Sequence, residues 1–471
     1  MMADSQDSPL PSAASSRGKY LTAPQRISGM PPGIPYIVGN EAAERFSYYG
    51  IIAVIAIFLT RQFRDAAGNL APMDEHLARE WQHYFMAACY FFPIIGAVIS
   101  DWLLGKYRTI IAVQLLYCVG HAVLALMDYP LVTGIDPKVL LFIGLALIAV
   151  GAGGIKPCVS AHVGDQFGQQ NKHLMSKAFG WFYFSINFGS TISMPLTPWL
   201  LNKFGPGWAF GVPGVAMAIA AITFWLGRYK FVHIPPGGRN FLREAFDRDS
   251  LRAIAHLIPL FCFLVPFWAL YDQSFSTWVY QARHMNLGGF DPETFSAQLE
   301  VTNAILIMIF IPLFTYVLYP LVDRYVTVTP LRKIGTGLFM ATISFAIPSL
   351  IQTWIDAGEK PHIAWQLLAY VFLTAGEVLV WVTGLEFSYT QAPKKLKSIV
   401  MGVAFLSITL GDVFTAKVNG YIANQKLQGI AVLEGAHYYW FFTILMLCTA
   451  LIFVGWSPFY QGRIYIQGET A

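Results

Sequence analysis

Charge is scarce in this chain. Only 12% of its 471 residues are Asp, Glu, Lys or Arg, against about a quarter in a soluble domain. The formal net charge is +4 and is spread over separate segments, which leaves no basic face for nucleic acid. Cysteine is scarce too. Cys89, Cys118, Cys158, Cys262 and Cys448 each lie in an apolar run, and none stands in C-x-x-C spacing. A disulfide framework or a zinc site is therefore not expected, and small buried side chains are. There is no metal-ligand spacing, no phosphate-binding loop and no paired nucleophile and base. No cofactor and no catalytic residue follow from the sequence, so the chain does not read as an enzyme. Residues 1–30 lack the apolar core of a leader peptide and are rich in Ser, Pro and Ala, which predicts a disordered tail.

Apolar residues make up 55% of the sequence. They gather in twelve runs long enough to cross a bilayer. The first six fall near 34–60, 82–104, 108–128, 138–158, 176–201 and 209–227. The last six fall near 254–281, 301–325, 331–354, 363–386, 398–424 and 437–459. The expected fold is an all-α membrane protein. It divides into a tail (1–33), a six-helix bundle (34–227), a basic linker (228–252), a second six-helix bundle (253–460) and a short tail (461–471). The tail, the linker and the even-to-odd loops hold most of the basic residues, so both termini are expected in the cytoplasm. A weak repeat supports two related halves. Asp101 precedes Lys106 and Arg108 after span 2, and Asp323 precedes Arg332 and Lys333 after span 8. These paired loops are expected to clasp a gate.

The first span carries the most informative residues. Glu41, Glu44, Arg45, Tyr48 and Tyr49 recur at i, i+3, i+4, i+7 and i+8, which is one face of a helix. A charge at the bilayer centre costs roughly 2.5–3.5 kcal/mol on insertion scales. Three on one face are kept only where they meet each other or water, so the stripe points to a proton-capable polar pathway.

Other ionisable groups deep in apolar runs are His83, His121, Lys156, Asp272, Glu377, Glu386, Asp412 and Lys417. Lys156 follows the small-residue run Gly151-Ala152-Gly153-Gly154, which allows close helix contact. Its expected partner is Glu41 or Glu44, an acid–lysine pair that a proton would break and remake. A static pair that orients helices is the other reading of it. His83 lies two turns from Tyr90 on one face. His121 has no evident partner, and Asp412 and Lys417 are expected to pair or snorkel. Asn187 and Asn303 are intramembrane amides able to donate and accept. Cations thus concentrate in the first half, and a carboxylate and an amide (Glu386, Asn303) lie in the second with Trp268. Such a polarised cavity suits a zwitterion, and a short peptide with free termini fits.

The E-x-x-E-R-F-x-Y-Y motif (Glu41 to Tyr49) is similar to that of the proton-dependent oligopeptide transporter family. So are Gly153 to Pro157 with Gly164 to Phe167, the Asn187 motif, Phe267 to Gln273, and Leu385 to Pro393. The last is closest to the animal branch. The resemblance covers nearly all of residues 34–460. It implies a major facilitator fold, with twelve transmembrane helices in two six-helix bundles around a central cavity. It also implies proton-coupled import of di- and tripeptides by alternating access at a plasma or inner membrane. Its partners would be peptides with free termini, protons and the lipid bilayer.

By that resemblance, Arg45 and Lys156 would stand near the peptide carboxylate. Glu386, Asn187 and Asn303 would meet its amine and backbone, and Trp268 would wall a side-chain pocket. Tyr48, Tyr49 and Tyr90 join the substrate-binding set. Glu41, Glu44, Arg45, Lys156, His83, Asp272 and Glu386 would couple the proton. Two departures stand out. Ile52 occupies a position where an arginine is usual, and His256 and Thr315 replace an Arg–Asp pair. The alternative is import of another anion or zwitterion on the same fold, such as nitrate or an amino-acid derivative. Ile52 favours it, while Tyr271 and the retained amine-binding set oppose it.

Overall fold

The computed structural model describes residues 20–73, 75–245, 247–275, 277–289, 292–394, 396–460 and Tyr465. Along some helices, including 75–80 with His83 and 292–300, only the backbone is described. Among the described residues, twelve long helices run in sequence. The first half comprises α1 (Ile34–Arg61), α2 (Glu75–Ile99), α3 (Lys106–Ala125), α4 (Pro137–Asp165), α5 (Met175–Phe204) and α6 (Pro206–Leu226). The second comprises α7 (Arg248–Tyr271), α8 (Pro292–Leu313), α9 (Pro330–Asp356), α10 (Ala364–Glu377), α11 (Lys397–Leu427) and α12 (Ala436–Trp456). Each apolar run read from the sequence holds one of them.

Local chemistry sets the ends. Asp136 accepts from the Lys138 N–H at 2.8 Å ahead of Pro137, and Thr329 caps α9 ahead of Pro330. An N-cap acceptor meets an otherwise orphan N–H, and proline at the first turn gives up only a donor the helix does not use. Among the described residues, three π-turns interrupt the long helices: Ser100–Leu104 after α2, Phe314–Leu318 after α8 and Val378–Val382 after α10. Beyond the last, Thr383–Gln391 continues α10. Each π-turn rotates the helical face on its C-terminal side relative to the face on its N-terminal side.

Among the described residues, ten helical segments are long and apolar enough to cross a membrane. The segments that miss the criterion are α2 and α5. In α2 the apolar part is Ala88–Leu104. Along α5, Ser185, Asn187, Ser190, Ser193 and Thr197 form a buried polar file. The outer girdle is apolar and exposed, as at Phe142, Val215, Ile222 and Ile452. Such a surface is stable only against lipid.

In the first half, α1 packs on α5 and α6, α3 on α4 and α6, and α2 on α4. In the second, α9 packs on α10 and α12, and α7 on α11. With an even number of crossings per half, the start of α1, the linker and the end of α12 lie on one side, the linker side.

Candidate functional site

Close helix contact builds the first half of the site. A Cβ on Gly189 would lie 2.7 Å from the Phe46 amide and closer still to the Ala42 carbonyl, so α5 touches the α1 backbone beside the charged stripe. A Cβ on Gly96 would stand 2.5 Å from Gly154 Cα. That approach of α2 to α4 sets Tyr90 against Lys156.

Glu41, Glu44 and Arg45 are brought together as the stripe predicts. Arg45 Nε lies 2.6 Å from Glu41 Oε1 and 3.1 Å from Glu44 Oε2. All three side chains are buried. The two acids are not equivalent. Glu41 accepts a hydrogen bond from Arg45, whereas neither oxygen of Glu44 accepts one among the described residues.

The expected pairing of Lys156 with Glu41 or Glu44 is not found. Among the described residues no carboxylate lies within 4.0 Å of its ammonium, because the Arg45 guanidinium already occupies both acids. Lys156 Nζ lies instead 4.4 Å from the Tyr48 ring centre and 4.7 Å from that of Tyr90. Two aromatic faces attract a desolvated cation by up to roughly 2 kcal/mol each. The lysine therefore keeps N–H donors for an incoming anion. Tyr49 packs edge-on against Tyr48, with centroids 5.3 Å apart.

His121 does have partners. Phe210 O can only accept, so Nδ1 carries the proton and donates to it at 3.1 Å. Nε2 then accepts from Ser47 Oγ at 2.6 Å. One heptad earlier, Gln114 of α3 donates to Asn40 of α1. This polar seam fixes the rotation of α1 and turns the charged stripe away from α3. His83 lies on α2, but its side chain falls outside the described residues.

The second half centres on Glu377, not on Glu386. Asn303 Nδ2 of α8 donates to Glu377 Oε2 at 2.9 Å and to Thr374 Oγ1 at 3.0 Å. Tyr271 OH of α7 donates to Asn303 Oδ1 at 3.3 Å. Tyr183 OH of α5 donates to Glu377 Oε1, which joins the two halves. Asn187, one turn along from Tyr183, returns its amide to the Tyr183 carbonyl at 3.1 Å. The Trp268 ring stands 5.0 Å from Trp381 and 5.2 Å from Tyr271, and its indole N–H is buried with no acceptor among the described residues.

Glu386 comes nine residues after Glu377, about 13 Å along a helix. It faces Lys333 and Ser176 on the linker side. Its expected place beside Asn303 belongs to Glu377. The sequence held a signal for this, since Glu377 lies deep in its apolar run and Glu386 at the end. Among the described residues, Asp412 makes no ion pair with Lys417. It shares a side-chain hydrogen bond with Asp272.

Among the described residues, hydrogen bonds between the halves lie at this level or on the linker side. Lys106 Nζ sits 3.0 Å from Asp165 Oδ2 and 3.5 Å from Asp101 Oδ1. Tyr389 OH donates to Asp165 Oδ1 at 2.8 Å, and the Ile399 N–H donates to Asp101 Oδ2 at 3.1 Å. Trp181 donates to Tyr316 OH at 3.2 Å, and Lys333 to Ser176 Oγ at 3.4 Å. The linker side is thus tied shut. The first of the two paired loops takes part as expected. In the second, Asp323 turns to its own Val328 N–H at 2.8 Å, and Lys333 alone reaches the other half.

The model of the POT family matches residues 107–248 and 241–440. Rat solute carrier family 15 member 2 is 34% identical over 412 residues, covering 77% of this chain and 55% of that protein. The human protein of the same name is 36% identical over 408 residues, covering 76% and 54%. The chain thus spans about half the length of these curated relatives. The crystal structure of the POT family transporter PepTSo superposes with a TM-score of 0.67 at 35% identity, covering 92% of this chain and 99% of that one.

Proposed function

This chain belongs to the POT family, and from that premise we propose that it is a proton-coupled symporter of di- and tripeptides working by alternating access. The observation that carries the proposal is the polarity of the seam between the halves. On the first half stands Lys156, a buried cation with aromatic neighbours and no carboxylate within 4.0 Å among the described residues. On the second stands Glu377, a buried carboxylate held by a phenol and an amide. A peptide with free termini brings one charge for each. Its carboxylate goes to Lys156, with Arg45 behind it and the Tyr48, Tyr49 and Tyr90 rings around it. Its amine goes to Glu377, and Asn187 and Asn303 meet its backbone.

Glu44 is the proton acceptor in this reading. It is buried beside Arg45 without accepting a hydrogen bond among the described residues, so neutralising it costs less than neutralising Glu41. Once Glu44 is protonated, Arg45 is half released, and its charge becomes available to the peptide carboxylate. Release of the proton restores the triad and weakens that grip, which couples the two fluxes. Lys156, Asp272 and His83 complete the coupling set. The linker side is assigned to the cytoplasm, so this conformation is closed to the cytoplasm. The chain sits in a plasma or inner membrane and requires no cofactor besides the proton.

The experiment is dialanine uptake into proteoliposomes with and without an imposed inward proton gradient. Accumulation driven by the gradient, and not competed by nitrate, supports the proposal. A gradient that leaves dialanine uptake unchanged overturns it.

A further inference from the structure

The outward ridge of α6 ends in a cation bedded on aromatic rings. Val215, Ile219, Ile222 and Leu226 recur at i, i+4, i+7 and i+11, and each is more than half exposed. One face of the helix is therefore apolar and turned to lipid. At its linker-side end the Arg228 guanidinium lies 3.6 Å from the centre of the Trp225 ring and 4.5 Å from that of Tyr229. Both rings are themselves exposed. The guanidinium gives one hydrogen bond to the Trp225 carbonyl at 2.9 Å.

A guanidinium carries five N–H donors in one plane. Stacking on rings occupies the faces of that plane and leaves its edge. Among the described residues no carboxylate lies within 4.0 Å of Arg228. Two more cations stand on the same side. Lys230 is exposed, and its Nζ lies 4.9 Å from the Tyr36 ring centre and donates to Tyr36 OH at 3.0 Å. Arg108 is exposed at the start of α3 and faces His233, whose Nε2–H donates to the Arg228 carbonyl. Asp101 and Asp165, on the same side, are buried against Lys106, so their charge is already met.

Positive charge is thus concentrated where the apolar girdle stops. A ligand that complements both features is apolar along its length and anionic at its end. A free anion, a peptide or a nucleic acid would leave the ridge of α6 bare. A phospholipid covers it with acyl chains and brings a phosphate to the guanidinium edge, where two parallel hydrogen bonds can form. A choline head would also bring a positive charge towards Arg108 and Lys230, so a head of net negative charge fits better.

We propose that the linker-side end of α6 is a binding site for an anionic phospholipid of that leaflet. Arg228 is the phosphate ligand, and Trp225 and Tyr229 hold its guanidinium edge-out. Arg108 and Lys230 supply the preference for an anionic head.

The test is native mass spectrometry of the full chain released from detergent, titrated with dioleoyl phosphatidylglycerol or dioleoyl phosphatidylcholine. The wild-type chain is expected to retain the glycerol lipid at least about fivefold more than the choline lipid. Arg228→Gln and Trp225→Leu should each lower that ratio severalfold. Arg283→Gln is the matched control and should keep it, since Arg283 is exposed 5.3 Å from the Tyr280 ring centre on the opposite side of the membrane domain. Equal retention of the two lipids by the wild-type chain overturns the site. So does an Arg228 variant with the wild-type ratio, or a control that falls as far. Displacement of the glycerol lipid by equimolar glycerol 3-phosphate would mark a plain anion site and overturn the lipid assignment.

Discussion

Tyr183 on α5 gives its phenolic hydrogen to Glu377 on α10, and the two halves of the molecule meet at that bond. In the proposed cycle, the ammonium group of an arriving peptide would compete for the same carboxylate. Substrate binding and the contact between halves are then linked, because one ligand alters the stability of one arrangement of the bundles. The first prediction concerns that carboxylate. Glu377→Gln keeps the shape and loses the charge, and a hydrogen bond to a charged group is worth about 1.5–3 kcal/mol. Dialanine uptake at low concentration should fall by roughly 10- to 100-fold. Glu386→Gln, beside Lys333 on the linker side, should leave the half-saturation constant within about threefold. The reverse ranking in an uptake assay would return the amine site to Glu386.

The second prediction separates coupling from binding. Glu44→Gln cannot exchange a proton, and Lys156→Ala removes the cation lodged between Tyr48 and Tyr90. Both should abolish gradient-driven accumulation. Glu44→Gln should still exchange labelled dialanine for unlabelled dialanine without a gradient, since it leaves Lys156 and Glu377 in place. Concentrative uptake at the wild-type level by either variant would remove these residues from the coupling scheme.

A third expectation tests packing. Gly189→Ala would press a methyl group against the Phe46 amide at 2.7 Å and against Arg45 Cβ at 3.2 Å. Overpacking of this kind costs about 1–3 kcal/mol, and here the obstacle is backbone rather than a movable side chain. The melting temperature in detergent should drop by several degrees, and transport should fall with the displaced Arg45. Gly211→Ala, where a Cβ meets nothing within 4 Å, is the matched control and should behave as wild type.

Acid should loosen the segment before α1. His233 lies outside the helices, its ring 4.5 Å from Tyr20 and 4.7 Å from Tyr107. Burial holds its pKa below the ordinary histidine value. The bond from Nε2–H to the Arg228 carbonyl at 2.6 Å partly offsets this, and Arg108 adds to the lowering. A depressed folded value means that the unfolded segment binds more protons. The contact is therefore fully stable above the ordinary histidine value and weakens as pH falls through the folded one. The His233 N–H also bonds to Leu21 O at 2.7 Å, so the segment around Leu21 should detach with it. Trypsin cleavage at Arg26 should accelerate on acidification, after correction for the enzyme's own pH dependence. His233→Gln should flatten that response, and an unchanged acid response in the variant would place the switch elsewhere.

Much of the site was legible along the chain. The stripe from Glu41 to Tyr49 follows from helical periodicity alone, because residues on one helix share a face wherever that helix is packed. The small residues before Lys156 announce a close helix contact, and a Cβ on Gly153 would indeed stand 2.5 Å from Phe92 Cβ of α2. The apolar runs dictate twelve helices, as a bilayer admits no other use for them.

Which charge meets which was decided only in three dimensions. The sequence offers Glu41 or Glu44 as the partner of Lys156 but cannot say that Arg45, on the same helix as both, reaches them first. Glu377 and Glu386 lie in one apolar run, and a π-turn between them shifts the phase that fixed periodicity would assign. His121 has no partner in its own segment, because Ser47 and Phe210 come from two other helices. Local sequence determines how each helix is made and which face is polar. The partner across the seam depends on rotation and depth relative to helices far away in the chain, and these are set by packing of the whole bundle.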